Sequence, residues 1–356
     1  MKDIRTFNKL QLKELSSNIL LNFEGEIPIT TLRINSFIKN TNIDDDDILL
    51  IAYYKNNKLA SYFGILPDIA NNNEKFYWNT GWRANNSIDK RAATIVLYKA
   101  LSIYGNRMIL NHLTPHTKKI IDSTKKFEPI KKINGTKFFF KFVLAEILVA
   151  KKPKLSFLKS IFKLIDFTFN IFITIFYTFF KNNIKYTKII DSIDSDCENF
   201  INTIKNEFVK DSVKNINHAL KYKWLITNNS LKDENEKYFF SLKTNVFENY
   251  ILKISIKNKI IGVMHIVNRD NNFKLYYSYI NTEYTYIIAN ELYSFLQKNN
   301  AKTFLSFDIV LNKYISKQKF IYLKNTVQFY TFSNNVSHFF NSNQQFQAGF
   351  GDALYT

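Results

Sequence analysis

Residues 48–66, ILLIAYYKNNKLASYFGIL, decide how the fold is read. Two apolar runs rich in Ile, Leu, Tyr and Phe flank Lys55-Asn56-Asn57, and β-formers on either side of a short Asn turn predict an antiparallel hairpin. A second Asn-rich turn leads into 75–83, KFYWNTGWR, so three consecutive antiparallel strands are expected. In the next segment Ala92, Ile95, Val96, Ala100 and Ile103 recur at helical spacing, which lays a helix on that sheet. Residues 107–113, RMILNHL, read as a fourth strand. Thr114-Pro115 then suits the cap and first turn of a further helix. Residues 137–149, KFFFKFVLAEILV, close this half as one or two more strands. Upstream, residues 1–22 alternate at helical spacing and predict an opening helix rather than a signal peptide. Residues 23–47, broken by Pro28, Asn35 and Asp44 to Asp47, read as irregular, the four aspartates forming a solvated turn.

The same grammar returns at 250–268, YILKISIKNKIIGVMHIVN, with its turn at Lys257-Asn258. FKLYYSYI (273–280), a helix near Glu283 to Lys298 and TFLSFDI (303–309) follow, after two helices expected at 196–210 and 213–226. The order of elements implies an internal duplication of one strand-strand-strand-helix-strand unit. Between the halves lies 155–181, LSFLKSIFKLIDFTFNIFITIFYTFFK, whose polar residues Lys159, Lys163, Asp166, Asn170, Thr174, Thr178 and Lys181 draw one narrow stripe along a mostly apolar helix. The reading is therefore mixed α/β (α+β), with modules at 1–150 and 189–356 and a hydrophobic, Lys-flanked connector at 151–188.

The 17 residues from Leu164 to Phe180 would extend about 26 Å as a helix, marginal for a bilayer core, and Asp166 and Asn170 interrupt them. Eight lysines against one aspartate between 151 and 188 fit an anionic membrane surface better than a span, with a core or subunit contact as the other reading. At 356 residues the chain is long enough for two cores, and its net charge of +19 is scattered rather than clustered, so nucleic acid is not expected as a partner. One cysteine, Cys197, excludes an internal disulfide and fits a reducing cytosol, so with the Lys-flanked helix the expected location is cytoplasmic, peripheral on the inner face of the membrane.

The strings ILLIAYY, NKLASYFGILPD, FYWNTGWR, ILNHLTPHTKKIIDSTKKF and the terminal GFGDALYT, with the helix from Ser87, resemble the GNAT acyltransferase superfamily, in particular its tandem members found with bacterial cell-surface polysaccharide genes. The resemblance covers most of residues 25–130 and the C-terminus. It implies acetyl-CoA or another acyl-CoA as co-substrate, laid between splayed strands at 75–83 and 107–113, with Gly81 and Trp82 beside it. The family's pyrophosphate loop maps onto Ile88 to Ala93, so Lys90, Arg91, Ala92 and Ala93 are implied cofactor contacts, although Arg91 stands where the first glycine is expected. Helix N-H groups and the helix dipole make such a loop attractive to phosphate. The family's general-acid tyrosine maps onto Asp122, a departure, and the glycine expected before Phe127 is Lys126.

His112, at the end of the fourth strand, is the candidate proton acceptor. Arg33, in the irregular loop, and Asp68, Asn79, Thr114 and His116 are candidates for holding the acceptor, with turn shaping as the other use of Asp68. His112 and His116 are spaced as a two-histidine metal pair, but Pro115 starts a new element between them and no third ligand follows, so no metal is expected. The implied activity is N-acylation of an amine, on a small-molecule or lipid-linked sugar acceptor. A GNAT-like scaffold without catalysis and a Fem-type aminoacyl transferase are the alternatives, and oligomerisation is open.

Overall fold

The computed structural model describes residues 2–18, 29–179, 184–224, 226–227, 243–339 and 344–355. In chain order its elements are strand β1 (Lys2–Asn8), helices α1 (Lys9–Asn18) and α2 (Thr31–Lys39), strands β2 (Ile48–Lys55), β3 (Lys58–Ile69) and β4 (Lys75–Ala84), helix α3 (Ala92–Tyr104), β5 (Met108–Leu110), α4 (Pro115–Thr124) and β6 (Lys131–Phe139). Next come α5 (Leu144–Lys151), α6 (Lys159–Phe179), β7 (Thr187–Ile190), α7 (Ser195–Ile204), α8 (Ser212–Lys221) and the short pair β8 (Ile226–Thr227) and β9 (Lys243–Thr244). The chain closes with β10 (Phe247–Ile256), β11 (Lys259–Arg269), β12 (Asn272–Ile280), α9 (Thr285–Lys298), β13 (Thr303–Ser306), α10 (Ile309–Ile315) and β14 (Tyr322–Phe332).

Both expected triplets of antiparallel strands form. The reason is local. Asn56 and Asn57 have φ of 52° and 61°, and Lys257 and Asn258 have 47° and 64°. Paired positive φ values mark type I′ turns, whose twist matches that of the strands they join, and Asn tolerates this region better than most residues. Asp270 and Asn271, at 52° and 64°, repeat the device between β11 and β12.

Contacts divide the chain into two units that interleave: Met1–Ile133, Asn206–Asn245 and Gln328–Thr356 form the first, Asn134–Lys205 and Val246–Val327 the second. In the first, β1, β2, β3 and β4 pair in sequence, β5 joins β4 in parallel, and the end of β14 pairs with β5 through Thr331↔Leu110. In the second, β7, β10, β11 and β12 are antiparallel neighbours, β13 joins β12 in parallel, and β6 pairs with β13 through Phe138↔Phe304. Each half of the sequence thus supplies the closing strand of the other half's unit. The consecutive division at 150 and 188 does not match this arrangement, and the expected connector lies inside the second unit. Alternating apolar residues specify a strand but not the edge it will join.

On one face of the first sheet, α3 buries Ala92, Val96, Leu97, Ala100 and Leu101 against Ile51, Tyr53, Phe63, Ile65 and Tyr77. On the other, Phe76 and Trp78 pack against Phe208 at 5.6 and 5.9 Å, ring centre to ring centre. Burying rings of this size contributes roughly 2–3 kcal/mol each. In the second unit α9 buries Ile288, Leu292, Phe295 and Leu296 against Leu252, Ile266, Phe273 and Phe138.

Several local expectations change. The N-terminus begins as β1, paired from Lys2↔Lys55 onward, because the free edge of β2 offers a ladder to it. FVLAEILV is largely α5, not strand, and the final residues form a short 3-10 helix, Gly351–Tyr355. Among the four aspartates, Asp47 is buried, and both Asp44 and Asp47 pair with Lys75, so this turn is not simply solvated.

Candidate active-site cleft in the first unit

β4 and β5 are registered only at Tyr77↔Met108 and Trp78↔Ile109. Beyond Trp78, β4 runs on to Ala84 while β5 stops at Leu110, so the two parallel strands part at their C-terminal ends. The mouth of the parting is spanned by one side chain: Asn79 Oδ1 accepts the backbone N–H of Asn111 at 2.8 Å. Asn111 in turn donates through Nδ2 to the carbonyl of Phe350 at 3.1 Å, tying the C-terminal segment to this point.

β4 is bulged here. Between the pairs Phe63↔Trp82 and Ile65↔Asn79, Thr80 and Gly81 face Gly64 alone. Gly81 has φ +100°, and a Cβ there would lie 2.8 Å from Tyr62 Oη, so the bulge needs glycine. Arg33 Nη2 donates to both the carbonyl and the hydroxyl of Thr80, and a Cβ on Gly64 would meet that guanidinium at 2.5 Å. Arg33 also lies over the Trp224 ring at 4.3 Å. It belongs to α2, whose N-cap Thr30 accepts the Arg33 N–H at 3.3 Å, and not to an irregular loop.

Trp82 is half-buried; its indole N–H donates to the Ala93 carbonyl at 3.1 Å, and its ring packs on Phe63 at 5.6 Å. This contact holds the end of β4 against the first turn of α3. Arg91 is the N-cap residue of α3 with φ −95° and ψ 0°, a conformation that asks for no glycine. Lys90 and Arg91 are exposed, Ala92 is buried and Ala93 half-buried. The helix start already has an anion of its own. Asp89 accepts the Arg91 N–H at 2.9 Å, the Tyr53 hydroxyl at 3.1 Å and the Lys55 ammonium at 3.3 Å. The Arg91 N–H above all, then Lys55 and Tyr53, hold its carboxyl below the ordinary range despite burial. Burial, with the hydrogen bond to Asp89 adding to it, pushes the Tyr53 phenol up.

Asp68 is in β3, buried, and does not shape a turn. Its carboxylate accepts from Trp78 Nε1 at 3.0 Å, Asn215 Nδ2 at 3.1 Å and the Ile69 N–H at 2.9 Å. Burial outweighs these hydrogen bonds and pushes its pKa up to about 6. His112 is exposed just past the end of β5, at φ +53°. Thr114 caps α4 in a reciprocal pair with Thr117, and His116 lies in the first turn of that helix.

The fold therefore gathers Asn79, Gly81, Trp82, Arg91 and Ala93 around the parting of β4 and β5. Arg33 joins them through Thr80 and Asp68 through Trp78. Thr114 is spent on capping. Asn111, Thr80 and Asp89 were missed by the sequence reading; polar residues within or just after strongly apolar runs were the available signal. In the second unit the counterpart strands β12 and β13 register at Asn272↔Thr303 to Lys274↔Leu305, and beyond them Ser278 Oγ donates to Asp308 Oδ2 at 2.8 Å. The turn before α9 carries Glu283, capped by Asn281, where the first unit has Lys90 and Arg91.

No protein-family model matches the chain, and no curated protein sequence matches it. Among solved structures, a putative acetyltransferase from Pyrococcus horikoshii aligns over 94% of this chain and 90% of its own, at 7% identity and a TM-score of 0.47. Saccharomyces cerevisiae N-myristoyltransferase with bound myristoyl-CoA and inhibitors aligns over 93% and 80%, at 12% identity and a TM-score of 0.49. A GCN5-related N-acetyltransferase from Anabaena variabilis aligns over 93% and 72%, at 8% identity and 0.44.

Proposed function

We propose that the chain is an acyl-CoA-dependent N-acyltransferase that works at the parting of β4 and β5. One observation carries the reading: a bulged strand separates from its parallel neighbour directly beside the start of a helix flanked by Lys90 and Arg91. A strand edge left without its neighbour is suited to an extended ligand with amide groups, such as a pantetheine arm, which can take the place of a strand. The exposed Lys90 and Arg91 would meet the phosphates by charge. A neutral amine would then attack the thioester carbon, the carbonyl oxygen being polarised by backbone donors, and thiolate would leave. His112 is the proposed acceptor of the amine's proton, and Arg33, Asn79 and Asp68 are proposed to shape the acceptor side. The acceptor we favour is an amino group on a nucleotide- or lipid-linked sugar.

A second reading, a GNAT-like scaffold without catalysis, is favoured by Asp89, whose carboxylate takes the Arg91 N–H that a phosphate at the helix start would need. Calorimetry with acetyl-CoA, followed by a thiol-release assay with glucosamine-type amines, tests both. The acyltransferase reading expects micromolar binding weakened at least about tenfold by Arg91→Glu and unaffected by Lys298→Glu, with thiol release lost in His112→Ala. Binding without thiol release from any amine leaves the second reading. No heat at millimolar acetyl-CoA removes the acyltransferase reading and leaves the scaffold.

A further inference from the structure

We propose that α6 lays its apolar face in the surface of an anionic lipid bilayer. The helix is inverted relative to an ordinary surface helix, because the polar residues at its middle, Asp166 and Asn170, face its own unit. Asp166 is buried and accepts the N–H groups of Leu144 and Ala145 at 2.8 and 2.9 Å. One turn on, Asn170 accepts the Phe142 N–H at 2.8 Å and donates to the Phe142 carbonyl at 3.0 Å. Tyr177, on the same side, donates to the Lys319 carbonyl at 3.3 Å. These bonds fix the rotation of the helix. The opposite side carries Ile161, Leu164, Phe172 and Ile175, each at least half exposed, a largely apolar strip of the kind that soluble surfaces seldom present.

What covers that strip is argued from charge and from the docked stripe. Lys151, Lys152 and Lys154 are all exposed on the approach to the helix. No exposed acidic residue stands among residues 151–177, where Asp166 is the one carboxylate and is engaged. A second copy of the chain would bring the same lysines against these, whereas an anionic leaflet complements them. A span is disfavoured although Pro153–Tyr177 is long and apolar enough, because crossing would tear Asp166 and Asn170 from the backbone groups they satisfy and place them in hydrocarbon. A helix held in the interface keeps those bonds and buries only the strip.

The test is co-sedimentation of the full chain with vesicles of phosphatidylcholine alone or mixed with phosphatidylglycerol, together with light scattering of the lipid-free protein. The expected result is binding to the mixed vesicles at low salt, a bound-to-free ratio at least about tenfold lower on pure phosphatidylcholine, and a comparable fall in about 0.5 M salt. Leu164→Asp with Phe172→Asp should release the protein while leaving its circular dichroism unchanged. If that pair fails to fold, Lys151→Glu with Lys152→Glu and Lys154→Glu, which leaves the apolar strip intact, should still cut binding about tenfold or more. Equal binding to neutral and anionic vesicles, or a lysine triple variant that binds like wild type, overturns the proposal. So does a lipid-free dimer that Phe172→Asp abolishes, since a second copy then covers the strip. Retention of the protein in membranes through alkaline carbonate makes it a span and overturns it as well.

Discussion

Asp166→Ala is expected to open the N-terminus of α5 without unfolding the rest of its unit. Val143, the cap residue of α5, has φ −138° and ψ 40° and makes no side-chain cap, so the first N–H groups depend on a carboxylate from another helix. Asp166 supplies one oxygen to each of Leu144 and Ala145, at 2.8 and 2.9 Å. A hydrogen bond to a charged group contributes about 1.5–3 kcal/mol, and loss of a cap costs about 0.5–2 kcal/mol, so removing this shared acceptor should cost about 2–4 kcal/mol of local stability. That corresponds to roughly 30- to 700-fold faster amide exchange at Leu144 and Ala145. Asp166→Asn keeps a single acceptor oxygen and should fall between wild type and alanine. Hydrogen exchange resolved by NMR or fragmentation reads the effect directly. Amides in α9, which packs in the core of the same unit, serve as the internal control and should keep their protection. Exchange at 144 and 145 within about threefold of wild type in Asp166→Ala would refute the reasoning, and with it the orientation assigned to α6.

Two further outcomes follow from the first unit. Asp68 holds its proton up to about pH 6 in the folded chain against an ordinary value of 3.8. Its contribution to stability is therefore whole below about pH 3.8 and lost as pH rises through about 6, where ionising it in place costs on the order of 3 kcal/mol. Asp68→Asn should flatten this fall across pH 4 to 6 in thermal melts and be no less stable than wild type at pH 7; a variant several degrees less stable at pH 7 contradicts the sign. Gly81→Ala must place a side chain at φ +100° and 2.8 Å from Tyr62 Oη, which should cost about 1–3 kcal/mol and lower the melting temperature by several degrees. Melting within a degree of wild type would show that the bulge does not depend on that conformation.

Much of the local structure was legible in the chain itself. Asn56-Asn57 and Lys257-Asn258 set up matching hairpin turns because adjacent residues alone determine whether two positive φ values are tolerable, and the apolar spacing of α3 picked out Ala92, Val96 and Ala100 of its buried face. The candidate site was legible in part: FYWNTGWR contains the bulge glycine Gly81 and Trp82, which clasps the first turn of α3. Tertiary structure decided what depended on distant partners. Residues 144–151 are helical because Asp166, far along the chain, caps them; Arg33 reaches Thr80 although 47 residues separate them; Asp68 titrates high because its surroundings exclude water. The exchange of β6 and β14 between units is of the same kind. Hydrophobic pattern and turn chemistry act over a few residues and so can be read along the chain, whereas strand pairing, capping from another helix and burial of a charge depend on which surfaces finally meet.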